Sequence, residues 1–435
     1  MRNGTTHTEW KTVPLVPKPV TVLETPDESV SLSTPSIIAL PSGRVLLAVD
    51  CFGPGVKHLP GAKGRLEHVN HWLQGKIFVS SDRGEHWISR QTYPFRHPLL
   101  FRSGPTLYLL GNHGQLAVMR SSDGGETWGH STDITDSEHG WDRFAWPAGN
   151  VAAASGMLTA IPMLQTQPRP RGSPASTLSP AILRGRDGAD LSDRRSWTIT
   201  PTRALPEFIM TPDIGEGFGV PWYPLPEPGR GTPLGGGRWA DHPAWRCAHV
   251  FRISNPDHQW HDPQGRTLHV VMTAEFHRSN MAVLLRLEES ADGQPILRPQ
   301  TSPSGRTVRY VPVPGGNLPF SLLFDDVSNL FWLLSHQVRD SLARPERLPA
   351  AARELPGMER SRLMLNVSRN LVDWWTVGFV AGSDDPAALL HEPTMSVRGA
   401  DLCLAWCAGT PHGKPPQGGT RIETGVVPGF RELLY

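Results

Sequence analysis

An eight-residue phrase recurs in this chain and restricts its fold more than any other feature. Residues 80–87 read Ser-Ser-Asp-Arg-Gly-Glu-His-Trp, and residues 121–128 read Ser-Ser-Asp-Gly-Gly-Glu-Thr-Trp. Both fit Ser-x-Asp-x-Gly-x-x-Trp. A degenerate copy at 368–375 keeps Ser368, carries Asn370 for Asp, and ends on Trp375. Weaker echoes are Ser192-Asp193 before Trp197, and Ser290 with Asp292-Gly293. Each follows a short apolar stretch that reads as a strand. The physical sense is a tight hairpin turn: Asp accepts backbone N–H bonds, Gly supplies positive φ, and Trp packs back beneath the turn. Such a turn organises a fold and carries no chemistry.

A second repeat lies upstream of the first. Apolar strand, short turn and apolar strand recur at 35–49, 99–110, 151–161, 249–272, 320–334 and 395–406. Each such hairpin, with the strand–turn–strand that follows, makes one four-stranded antiparallel unit. Radial repetition of four-stranded units is a β-propeller, which leaves only short, protected edges. The chain's 435 residues divide into six units of about 72 each. The sequence thus predicts an all-β, six-bladed β-propeller occupying 1–435 as one domain. The wide gap between the third and fourth hairpins holds a Gly/Pro-rich insertion at about 201–245, long enough for a degenerate seventh blade. Residues 10–15 are expected to pair with the last blade and close the ring.

Composition agrees. Gly and Pro number 43 each, a density that breaks long helices. The formal net charge is +1, which gives no electrostatic footprint for nucleic acid or an anionic membrane. No stretch approaches the roughly 18 consecutive apolar residues of a membrane helix. No apolar run follows the amino terminus, so the expected location is cytoplasmic. Cys51, Cys247, Cys403 and Cys407 form no Cys-x-x-Cys pair and read as buried thiols. No metal site and no cofactor are expected, and no nucleotide-binding fingerprint is present.

The Ser-x-Asp-x-Gly-x-x-Trp turn is known as the Asp box, or bacterial neuraminidase repeat. On it the chain resembles the sialidase superfamily of β-propellers. Ser33 to Ala48 is similar to the first blade of such proteins, and Gly429-Phe-Arg-Glu-Leu-Leu-Tyr435 to the ending of uncharacterised sialidase-like glycosidases. The resemblance implies a glycoside hydrolase acting on terminal acidic or deoxy sugars, with carbohydrate as partner. The chain departs from sialidases at two places. Their first-blade Arg-Ile-Pro aligns with Ser33-Thr34-Pro35, and no tyrosine stands where they carry a late nucleophile. His391-Glu392 lies near that position instead.

The loops opposite the boxed turns are where such a fold gathers a pocket. Asp50 ends the second strand of the first hairpin and is the expected general acid/base, because a glycosidase needs a carboxyl able to protonate a leaving oxygen. Glu275 or His277, after the fourth hairpin, is its expected catalytic partner. Arg246, Arg278 and Arg360 are the expected substrate clamps, joined by Arg96, Arg143, His391 and Glu392 from other blades. Trp222-Tyr223 in the insertion offers a stacking face for a sugar ring. Two other readings remain open. One is a polysaccharide lyase using His277 or His391 as base; the other is a non-catalytic carbohydrate-binding propeller.

Overall fold

The computed structural model describes residues 12–66, 71–136, 144–146, 148–165, 178–202, 232–235, 238–240, 244–258, 260–275, 280–290, 292–302, 304–308, 310–338, 359–383, 388–409 and 418–434. These form a six-bladed β-propeller of four-stranded antiparallel blades, as the repeats predict. The innermost strands are Ser31–Ala39, Arg96–Ser103, Ala152–Ala154, Ala244–Phe251, Ser321–Asp325 and Leu389–Arg398. Each pairs antiparallel with the strand that follows its turn.

The core shows why the sheets stack radially. Strand Val45–Phe52 is buried at seven of its eight positions. Its alternate side chains serve two different seams. Val45, Leu47 and Val49 pack with Cys403, Ala405 and Cys407 of the sixth blade. Leu46 and Ala48 pack with Leu107, Leu109 and Met119 of the second. A strand with side chains on both faces, buried on both, must lie between two neighbours. Four further clusters join blades two to three, three to four, four to five and five to six. Six seams closed in a ring leave no room for a seventh blade.

The two complete boxed turns have the same hydrogen bonds. Ser80 Oγ donates to Asp82 Oδ1 at 2.8 Å, Gly84 N donates to Ser80 Oγ, His86 N donates to Asp82 Oδ1, and Trp87 Nε1 donates to the Gly84 carbonyl. Ser121, Asp123, Gly125, Thr127 and Trp128 repeat the set. The third copy departs. Val372 stands where the pattern has glycine, and Trp375 is 55% exposed instead of packing under the turn.

Ring closure also departs from expectation in detail. The strand that completes the sixth blade is Val20–Glu24, paired with Arg421–Val427, and not residues 10–15. Leu15 and Val16 instead donate backbone bonds to Phe379 and Val380, on the outer strand of the fifth blade. Of the 201–245 insertion, the described residues form a two-stranded ribbon, Thr232–Gly235 with Arg238–Ala240. All four cysteines are buried and free.

Candidate active site

Four of the six innermost strands break at the same place. Their pairing register shifts between Ser33 and Ser36, Arg96 and Leu99, Arg246 and His249, and His391 and Thr394. Inside each break one residue adopts left-handed backbone: Thr34 (φ +43°), His97 (+57°), Cys247 (+50°) and Glu392 (+52°). A bulge of this kind re-aims side chains, and non-glycine residues hold such a φ only when their surroundings over-determine it. Pro follows at 35, 98 and 393, ending the irregular stretch in a conformation fixed near φ −65°.

The bulges bring blades together at the axis. Arg246 of the fourth blade acts electrostatically on His97 of the second and on Glu392 of the sixth. Only the axis lies near all three. Arg360, entering the third strand of the fifth blade, acts on Glu392, His391 and His336. Arg96 Nε donates to Asn112 Oδ1 at 3.3 Å, and Asn112 Nδ2 lies 3.1 Å from His97 Nδ1. With Asn112 donating, His97 accepts at Nδ1 and is a neutral imidazole, in line with a pKa held well below its ordinary value by burial and by Arg96 and Arg246.

Thr34 joins two carboxylates. Its backbone N–H donates to Glu392 Oε2 at 2.6 Å, and its Oγ1 donates to Asp50 Oδ2 at 2.5 Å. Asp50 also accepts from His97 N and, at 3.2 Å, from Tyr93 Oη. Burial pushes the Asp50 carboxyl up to about 7, against the pull of those donors, and the Glu392 charge pushes the same way. Burial likewise raises Glu392, opposed by Thr34 N–H, Arg360 and Arg246. The two differ in access. Asp50 is 3% exposed, whereas the Glu392 side chain retains 18%. Glu392 is therefore the more exposed of the two carboxylates, and Asp50 is the more enclosed.

Gly75 makes room for this arrangement. It pairs with Asp50 on one side and Tyr93 on the other, and a Cβ on it would lie 1.7 Å from Tyr93 Cζ. The vacant space admits the phenol ring, whose Oη reaches the Val49 carbonyl at 2.8 Å and Asp50.

Of the residues expected from sequence, Asp50, Arg96, Arg246, Arg360, His391 and Glu392 belong to this axial group. Glu275 ends the strand Leu268–Glu275, two residues beyond Thr273, the pairing partner of Arg246; its side chain lies outside the described residues. Arg143, Trp222, Tyr223, His277 and Arg278 also lie outside them. Sequence reasoning placed Arg96-His97 within reach of the centre but missed Thr34, Tyr93 and Cys407. The signal available for Thr34 was the repeated x-x-Pro of the inner strands, in Ser33-Thr34-Pro35, Arg96-His97-Pro98 and His391-Glu392-Pro393. A groove of about 630 Å³ lies at the other mouth of the ring, among the turns around Ser42, Ser81 and Arg398, away from both carboxylates.

No protein-family model and no curated protein matches the chain. Solved structures do. An α-L-arabinanase of Penicillium chrysogenum, in complex with arabinobiose, matches at 12% identity and TM-score 0.53, covering 96% of this chain and 99% of its own. A protein of unknown function from Dyadobacter fermentans matches at 14% and 0.51, covering 94% and 98%. A mutant α-L-arabinofuranosidase from Fusarium graminearum, bound to an iminosugar inhibitor, matches at 11% and 0.51, covering 95% and 98%. At these identities the likeness is one of fold.

Proposed function

We propose that the protein is a glycoside hydrolase in which Glu392 is the general acid at the propeller axis. The observation that carries the reading is the Glu392 carboxyl itself. It is raised by burial, retains 18% side-chain exposure, is fixed by Thr34 N–H and is faced by Arg246 and Arg360. A raised carboxyl keeps the proton that a leaving glycosidic oxygen must receive. Asp50, linked to Glu392 through Thr34, acts as its electrostatic neighbour and not as the group that touches sugar. Glu275, at the rim of the fourth blade, is the candidate second carboxylate.

The arginines favour an acidic substrate. Arg96, Arg246 and Arg360 are the cations of the axial group, and a guanidinium fork suits a carboxylate. This supports a sialidase-like action on a terminal acidic sugar. The fold likeness to an arabinanase and an arabinofuranosidase favours a second reading, arabinose-containing glycans. Against a lyase with His391 as its base stands that residue's 3% exposure, too enclosed to reach a substrate proton; His277, the other candidate base, lies outside the described residues.

The test is Glu392→Gln on aryl sialosides, uronides and arabinofuranosides, beside the corresponding oligosaccharides. Loss of a general acid slows turnover by about 10²–10⁴. The loss should be large for oligosaccharides and small for aryl glycosides, whose leaving group needs no proton. Equal turnover by wild type and variant on every oligosaccharide that the wild type cleaves removes Glu392 from the mechanism.

A further inference from the structure

Two buried groups beside Glu392 have no part in that mechanism. His391 is 3% exposed, yet neither ring nitrogen meets a hydrogen-bond partner among the described residues. A buried imidazole without a partner calls for an explanation, because such polar groups are nearly always bonded. Cys407, fully buried on the neighbouring strand Asp401–Gly409, pairs with His391 across the sheet. Its Sγ lies 4.0 Å from Glu392 Oε2, and His391 Nδ1 lies 3.6 Å from the same oxygen. All three atoms fall within 4.8 Å of one another.

We infer that His391, Glu392 and Cys407 form a binding site for a thiophilic divalent cation of the zinc type. The distances support this. Tetrahedral bonds of about 2.0–2.3 Å imply ligand–ligand edges of about 3.3–3.8 Å. The 3.6 Å edge already lies in that range, and the 4.0 Å edge and the third, within 4.8 Å, need only contract by small side-chain movements. The donors are one thiolate, one imidazole and one carboxylate, a set that suits zinc and excludes magnesium and calcium, which take oxygen. Three protein ligands leave a fourth position open, as in a catalytic type of zinc centre.

The charges also close. A ligating imidazole binds in its neutral form and adds no charge. On loading, Cys407 releases its proton, and so does Glu392 where it carries one. The thiolate and carboxylate then cancel the two charges of the ion. Arg246 and Arg360, which would repel a bare cation, face a neutral cluster.

The site does not rest on the hydrolase reading. If that reading holds, a bound ion occupies Glu392 and stops turnover, so the loaded state is the inactive one.

The test reads the metal directly. Purified full-length protein is titrated with Co²⁺ and its near-ultraviolet thiolate-to-cobalt charge-transfer band recorded. Wild type should bind one ion per chain with that band. Cys407→Ser should bind without the band, His391→Ala should bind at least tenfold more weakly, and Asp50→Asn should keep it. Absence of the band in wild type, or its survival in Cys407→Ser, overturns the inference. Should the Cys407 variant not fold, the wild-type melting temperature decides: Zn²⁺ should raise it and Mg²⁺ should not. An equal response to both ions overturns the site. A chain that cleaves no glycan leaves every one of these readouts intact.

Discussion

Asp50→Asn should change how stability depends on pH, by an amount the structure sets. The Asp50 carboxyl is raised from 3.8 to about 7, chiefly by burial. A group raised on folding contributes stability that is fully present below its unfolded pKa and is lost as pH rises through the folded one. Between pH 4 and 7 the folded chain binds more protons at this position than the unfolded chain. Integrated, the cost of ionising Asp50 is about 2 kcal/mol at pH 5 and about 4 kcal/mol at pH 8. Asparagine does not ionise and removes this dependence. It also places an amide N–H against one of the three donors that now meet the carboxylate, a cost of about 1–3 kcal/mol that does not vary with pH.

The wild type should therefore lose about 2–3 kcal/mol relative to the variant between pH 5 and pH 8. For a chain of 435 residues that is a relative shift of roughly 3 °C in melting temperature. Scanning calorimetry of both proteins across the range gives the difference directly. Glu392 and the buried histidines 97, 249, 269, 336 and 391 also titrate, the histidines with opposite sign because burial lowers them. The histidines are present in both chains and cancel in the difference; Glu392, coupled to Asp50, leaves a smaller residual of the same origin. Parallel melting curves from pH 5 to pH 8 would refute the assignment of a raised carboxyl to Asp50.

Two further substitutions test the packing. Gly75→Ala puts a methyl inside the Tyr93 ring; it should cost about 1–3 kcal/mol in urea unfolding and, by displacing the phenol, raise the Asp50 pKa further. Trp128→Ala should cost about 3–5 kcal/mol, since the ring is 7% exposed and its Nε1 bonds Gly125. Trp375→Ala, at a residue 55% exposed, should stay within about 0.5 kcal/mol. Comparable losses at the two tryptophans would mean that the third turn packs like the first two.

The turns were legible because their hydrogen bonds are local. Ser80, Asp82, Gly84 and Trp87 meet within eight residues, so the sequence pattern and the geometry are one fact. Trp375 shows the limit: Val372 takes the place of the glycine, and the ring no longer tucks under. Ring closure was misplaced because the amino-terminal region holds two apolar segments, around Val13–Val16 and Val20–Leu23, and strand pattern alone does not assign them to blades. The first docks on the fifth blade and the second completes the sixth. The axial group was legible only in part for a different reason. Asp50 and Glu392 are 342 positions apart, and nothing local says that Thr34 will bond both.

What places them together is repetition of shape with variation of residue. The same bulge recurs in blades one, two, four and six, and equivalent positions of different blades point at one axis. Read as a column, the left-handed positions are Thr34, His97, Cys247 and Glu392, and those before them are Ser33, Arg96, Arg246 and His391. Both axial arginines that arise from inner strands occupy the second column, and the more exposed carboxylate occupies the first. The fold repeats because the turn residues repeat. The chemistry is held where the backbone repeats and the side chains do not. A left-handed backbone at Thr34, a β-branched residue, costs about 1–3 kcal/mol. That strain persists because Pro35 restricts the chain beyond it, while the Asp50 and Glu392 carboxylates fasten both the hydroxyl and the N–H. Relieving it with Thr34→Gly would keep the N–H bond to Glu392 and lose the hydroxyl to Asp50, separating the two carboxylates without moving either strand.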